Sequence, residues 1–145
     1  MAKTIQISPR QTPCFRGLIQ AETTEALFNA ATDLATAEEL AEEGIDYPPA
    51  SVTIYRMNTS LNPGIYSTNP SESTVVTGYD GVPIDSAAFI APETVEDYGL
   101  GYNFSYTPEN RANFAFPTGG SYFADFLIFP KVGAAIAFRV GVWVE

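Results

Sequence analysis

The stretch Ile136-Ala-Phe-Arg-Val-Gly-Val-Trp-Val-Glu145 strongly favours one regular structure. Ile136, Phe138, Val140, Val142 and Val144 alternate with Ala137, Arg139, Gly141, Trp143 and Glu145, so five apolar side chains share one face of a strand. A membrane-spanning helix is excluded, because Asp125, Pro130, Lys131 and Arg139 interrupt the apolar region and a span needs about 20 mostly apolar residues. Tyr122 to Phe129 reads as a preceding strand, apolar on both faces, with residues 130–133 as the turn between the two. A last strand held by its predecessor completes a sheet, which is the expected reason that the chain stops there.

The same pattern recurs upstream. Ser51 to Met57 follows Pro48-Pro49 as a strand, and Gly101 to Thr107 alternates aromatic with polar residues. Ser73 to Thr77 and Val82 to Ile90 flank Tyr79-Asp80-Gly81, whose Asp-Gly pair predicts a tight hairpin. Lys3 to Ile7 and Cys14 to Gln20 are earlier candidates. Only residues 22–43 look helical. Thr36-Ala-Glu-Glu39 is a capping box, Leu34, Ala37, Leu40 and Ala41 make a narrow apolar stripe, and Gly44 with Ile45 forms a C-terminal stop. An earlier turn is expected from Thr24, carrying Leu27, Phe28 and Ala31. The predicted fold is mainly β: a β-sandwich or jelly roll of about eight strands with one short helical excursion near residues 24–43. Residues 14–145 are expected as a single domain behind an extended arm, residues 1–13.

Composition narrows the function. The net charge of −10 argues against nucleic acid and anionic membranes as partners. Eight acids and no Lys or Arg fall within residues 17–55, whereas the first sixteen residues hold Lys3, Arg10 and Arg16 and no acid. Lys3 and Lys131 are the only lysines. Lysine commonly defends open sheet edges, so a β-rich chain this poor in it is expected to have its edges closed or covered by a partner. The absence of histidine removes Ser–His–Asp and Cys–His catalysis and most zinc sites. Cys14 is expected as a small buried thiol. Asp85, Glu96, Asp97 and Asp125 are the acids set among apolar residues, and Asp125 is expected to pair with Arg139 on the adjacent strand rather than to act as a catalytic acid. No catalytic residue, metal site or cofactor is expected.

Two sets of residues suggest binding. Tyr98, Tyr102, Phe104 and Tyr106 cluster, with the last three on one strand face, as sugar-stacking platforms do, although core or interface packing is the commoner use of such alternation. In the arm, Lys3, Thr4, Ile5, Gln6, Ile7 and Arg10 are candidate contacts. Pro9 and Pro13 restrict the arm's freedom, and Thr4 to Ile7 could join a neighbour's sheet edge or be the first strand of its own domain.

A histidine-free, lysine-poor, acidic β chain with a proline-marked start (Ser8-Pro9, Thr12-Pro13) and a β-rich body from Ser51 to Glu145 resembles the small head-decoration, or cement, proteins of tailed bacteriophages. The resemblance is one of type across the whole chain, without a shared motif. It implies a non-enzymatic structural protein of the virion, made in the host cytoplasm. The implied partner is the major capsid protein or another virion subunit, and the implied state is a homo-oligomer, most simply a trimer. The alternative is a carbohydrate-binding β-sandwich module of a tail or receptor-binding apparatus.

Overall fold

A computed structural model describes residues 3–20, 26–57, 73–109 and 114–145 of the chain. The fold is mainly β and sandwich-like. Its strands are β1 (Lys3–Ile7), β2 (Phe15–Gly17), β3 (Ala50–Met57), β4 (Ser73–Val75), β5 (Val82–Pro83), β6 (Phe104–Tyr106), β7 (Gly120–Ile128) and β8 (Ile136–Val144). The main sheet runs β1-β8-β7-β3-β4, with β5 also on β3, and β2-β6 form a second, two-stranded sheet. All pairs are antiparallel except β1 with β8.

The central ladder is β7-β8, in register from Gly120↔Val144 to Ile128↔Ile136. That register aligns the apolar teeth of β8 with Tyr122, Ala124, Phe126 and Ile128 of β7, and through β7 with Ala50, Val52 and Ile54 of β3. These residues, with Ile5, Ile7 and Val82, form one wall of the core. The second wall brings Phe15 of β2 and Phe104 and Tyr106 of β6, joined by Phe28, Phe89 and Phe116. Phe126 stands where the walls meet. Its ring lies 5.4 Å from Phe15, 5.5 Å from Phe104 and 6.1 Å from Tyr106, all edge-on, and 4.9 Å from Phe138, stacked. Asn103, 1% exposed, extends the second sheet by its side chain: Oδ1 accepts from Ile19 N and Nδ2 donates to Ile19 O, both at 2.7 Å.

The helical excursion is two helices rather than one. α1 (Ala30–Asp33) starts at Asn29, whose side chain accepts from Ala31 N. α2 (Ala37–Glu42) carries the predicted capping box at Thr36 and Glu39. It ends in a full Schellman motif, with Ile45 N donating to Leu40 O and Gly44 N to Ala41 O, and with Gly44 at φ 77°. Leu34 is extended between them, because it bridges to Pro130 while Ala35 N donates to Phe129 O. Lys131 N donates to Asp33 O and its Nζ lies 3.7 Å from Glu39, so the excursion is docked on the β7-β8 turn. Of the turn expected from Thr24, Leu27 instead bridges to Gln20, and residues 21–25 lie outside the described residues.

Two further expectations are corrected. The segments flanking Asp80-Gly81 do not face one another as a hairpin. β4 pairs with Tyr55–Met57 and β5 with Ser51–Val52, so both lie end to end along one edge of β3. The cause is Tyr79: it is 1% exposed, its O accepts from Ile54 N, and its hydroxyl donates to Glu109 O at 2.7 Å, drawing the loop into the core. The strand expected to reach Ile90 ends at Pro83, and Asp85 caps a 3-10 turn at Ser86–Ala88. Third helix α3 (Pro92–Tyr98) was not expected, although Pro92 at its start and Gly99 at φ 60° after its end are ordinary boundary signals.

Val142 is 1% exposed at the centre of this arrangement. Val142→Asp is predicted to abolish folding, since an uncompensated buried charge costs about 3–5 kcal/mol against a total stability of roughly 5–15 kcal/mol. Loss of soluble expression and of near-ultraviolet circular dichroism is the expected readout.

Candidate functional site

Strands alternate, so every residue between the apolar teeth emerges on the other face of the main sheet. On β3 these are Ser51, Thr53, Tyr55 and Met57; on β7 Ser121, Phe123, Asp125 and Leu127; on β8 Ala137, Arg139, Gly141 and Trp143. This outer face is not the plain polar surface that usually backs a one-sided sheet. Phe123 is fully buried, and Ser51, Met57 and Ser121 are buried with it.

Its organising feature is the cross-strand pair Asp125↔Arg139, as expected from the sequence. Arg139 Nε donates to Asp125 Oδ1 at 2.5 Å and its terminal nitrogen donates to Oδ2 at 2.9 Å, a bidentate fork on a planar carboxylate. The guanidinium also lies 4.2 Å from the Phe123 ring, and Phe123 stacks on Tyr55 at 4.8 Å. Gly141, opposite Phe123, adds no side chain. The result is a connected row: carboxylate, guanidinium, phenyl ring, phenol. Burial raises the Tyr55 phenol above the usual tyrosine range, Asp125 and Asp80 add to the rise, and Arg139 opposes it.

Beside this row runs a groove of about 570 Å³. Ser51, Thr53, Asp125, Leu127 and Ala137 line it, with Tyr55 and Arg139 towards one end, Tyr47 towards the other and Asp80-Gly81 along the side. Gly81 N donates to Thr53 Oγ1 at 2.9 Å, which fixes that side. Tyr47 is 60% exposed yet held, stacked on Phe129 at 6.1 Å with 20° between the rings.

The residues singled out in the sequence lie elsewhere. Phe104 is fully buried and Tyr106 packs edge-on against Phe126, so for these two the commoner reading, core packing, holds. Tyr102 is half-buried with the Arg16 guanidinium 4.6 Å from its ring, and Tyr98 is 77% exposed on α3. Alternation alone could not tell which face of β6 meets the main sheet. Cys14 is exposed, not buried, because Phe15 takes the core position of β2. A hydrogen bond with Ser105, Sγ to Oγ 3.2 Å, is the main cause of a lowered thiol pKa, helped by Thr107 and Arg16 and opposed by partial burial. Asp85 is a helix cap, while Glu96 and Asp97 are exposed on α3. Among the described residues, no cluster of three metal-binding side chains occurs.

Lys3–Ile7 is the edge strand of the chain's own sheet, the second of the two readings of that run. Glu145 N donates to Ile7 O, so alternation turns the backbone groups of Ile5 and Ile7 towards β8 and those of Thr4 and Gln6 outwards. The Gln6 side-chain amide donates to the Glu145 carboxylate. Arg10 folds back at φ 67°, with its N donating to Phe116 O and its guanidinium 5.6 Å from the Phe114 ring. Comparison with protein-family models, characterised proteins and solved structures finds no match to this chain.

Two outcomes are predicted for the outer-face row. Arg139→Ala leaves Asp125 without its fork, and the loss of charge-assisted hydrogen bonds is expected to cost about 1–3 kcal/mol, read from the urea unfolding midpoint. The raised Tyr55 phenol keeps its proton in the folded chain after the unfolded chain has lost it. Its contribution to stability is therefore complete below the ordinary tyrosine pKa and lost as pH rises through the folded value. Ultraviolet titration is expected to show a late-ionising tyrosine that disappears in Tyr55→Phe.

Proposed function

We propose that the chain is a non-enzymatic structural protein that acts by binding other subunits, with decoration of a tailed-phage head as the best-fitting role. The observation that carries the reading is the β1 edge. Thr4 and Gln6 present their backbone groups outwards, and among the described residues no strand pairs with them. After Lys3 the strand carries no charge, proline or bulge of the kinds that normally blunt an open edge. An extended segment of a neighbouring subunit, either the major capsid protein or a second copy of this chain, would add to that edge by main-chain hydrogen bonds.

Other features agree with this role. Leu18, Tyr98 and Val132 are large apolar side chains at least half exposed, as contact surfaces require. Two of the four acids that could have suggested catalysis serve the fold: Asp125 in its pair with Arg139 and Asp85 in its cap. Closed association of such chains around a capsid symmetry axis gives the homo-oligomer, with a trimer as the simplest form.

Proline at position 4 tests the reading, because the Thr4 N–H faces outwards and is not used in the β1-β8 ladder. Thr4→Pro is expected to keep the melting temperature within a few degrees and to lose co-sedimentation with virions or emptied heads. Ile5→Pro removes a ladder hydrogen bond and is expected to lower the melting temperature more than Thr4→Pro does. Unchanged particle binding by a folded Thr4→Pro protein would overturn the edge mechanism. Failure of the wild-type chain to bind any virion component would overturn the role.

A further inference from the structure

We propose that the outer-face groove over β3, β7 and β8 is a binding site for a neutral oligosaccharide. The proposal is independent of the subunit contacts at β1 and uses none of the same residues.

The groove's size falls within the roughly 300–1,000 Å³ of small-molecule sites. Its chemistry excludes ligands one class at a time. Asp125 and Arg139 compensate each other through two hydrogen bonds, so the pair adds no net charge to the groove. Asp80 then remains as the uncompensated charge among the described lining residues, in a chain of net charge −10. Anions are repelled both locally and by the whole field. A lone carboxylate at an exposed rim is a weak anchor for a cation. A wholly apolar ligand would cover Thr53 and the Asp125–Arg139 edge with nothing that can hydrogen-bond, at a cost for each stranded polar group.

What remains is an uncharged molecule with an apolar face and a hydroxyl-rich edge. A pyranose ring is such a molecule. Its C–H face suits an aromatic ring, and its paired equatorial hydroxyls suit planar, bidentate groups such as a carboxylate or guanidinium. The groove offers both, already in place. Tyr47 presents more than half its surface while stacked on Phe129, so little side-chain freedom is lost on binding. Tyr55 is fixed by Phe123, and its phenol stays protonated as a donor through neutral pH. The two tyrosines flank a run along β3 from Ser51 to Tyr55, about 13 Å at the usual strand rise. That length calls for more than one sugar ring.

The test uses the full chain against an array of neutral glycans (maltohexaose, cellohexaose, xylohexaose and chitohexaose) with sulfated and sialylated glycans as anionic controls. Hits are then measured by isothermal titration. The expected result is binding of at least one neutral glycan and none of the anionic controls. Tyr47→Ala, at an exposed loop position, is expected to keep the melting temperature and weaken that binding about tenfold or more. Tyr55→Phe keeps the ring and its stacking but is expected to weaken binding severalfold by loss of the hydroxyl. An array without neutral hits overturns the proposal. So do preferential binding of the anionic glycans, neutral binding unaffected by both variants, and self-association through this face that Tyr47→Ala abolishes.

Discussion

The packing of Phe126 against both walls of the sandwich is the contact on which the rest depends. The second sheet has only two short strands, too few to be stable alone. It is held because Phe15, Phe104 and Tyr106 each set an edge against the one ring that β7 presents at the centre of the main sheet. Phe138, stacked beside Phe126 from β8, also meets Phe104 edge-on at 5.8 Å and widens the platform. Edge-to-face geometry makes these contacts directional, so the cluster fixes the position of the small sheet as well as burying area.

That packing also fixes the outer face. Strand side chains alternate, so a register that turns Phe126 inwards must turn Asp125 and Leu127 outwards, and the same holds for Arg139 beside Phe138. The ion pair and the groove are therefore consequences of the core, not independent additions. A slip of one residue between β7 and β8 would separate Asp125 from Arg139 and drive charge into the aromatic cluster. Such a slip is costly twice over, which is a strong specification of register for one ladder.

How much of this was legible in the sequence depended on whether the signal was local. The alternation in β8, the Asp125–Arg139 pair and the Thr36/Glu39 capping box with its Gly44 stop all rest on residues a few positions apart or on a regular ladder, and each appears as read. The Asp80-Gly81 hairpin failed because the loop's conformation is set by Tyr79 seeking the core and Glu109 O, a contact thirty positions away. Cys14 was misjudged because a three-residue strand carries too little alternation to reveal which side is buried. α3 was overlooked although Pro92 and Gly99 bracket it, since its single buried residue, Val95, gives no apolar stripe. Tyr47 lies outside every strand, and nothing in its neighbourhood but Pro48-Pro49 hints that its ring is held rather than free.

The two proposed binding surfaces are compatible because of where the sheet puts them. β1 is the outermost strand on one side, and the groove lies over β8, β7 and β3 on the outer face. Strand addition at β1 lengthens the sheet sideways, in its own plane, and leaves that face uncovered. A chain anchored through its edge would thus display the groove away from the contact, with the β8 strand as the shared support. The same nine-residue strand offers its ladder to β1, its apolar teeth to Phe104, and Arg139 to the groove. Mechanical strain arriving at the edge would pass into β8 before any other strand. On its other side β8 is paired with β7 along its whole length, from Ile136 to Val144, so a load reaching it would be shared by that full ladder.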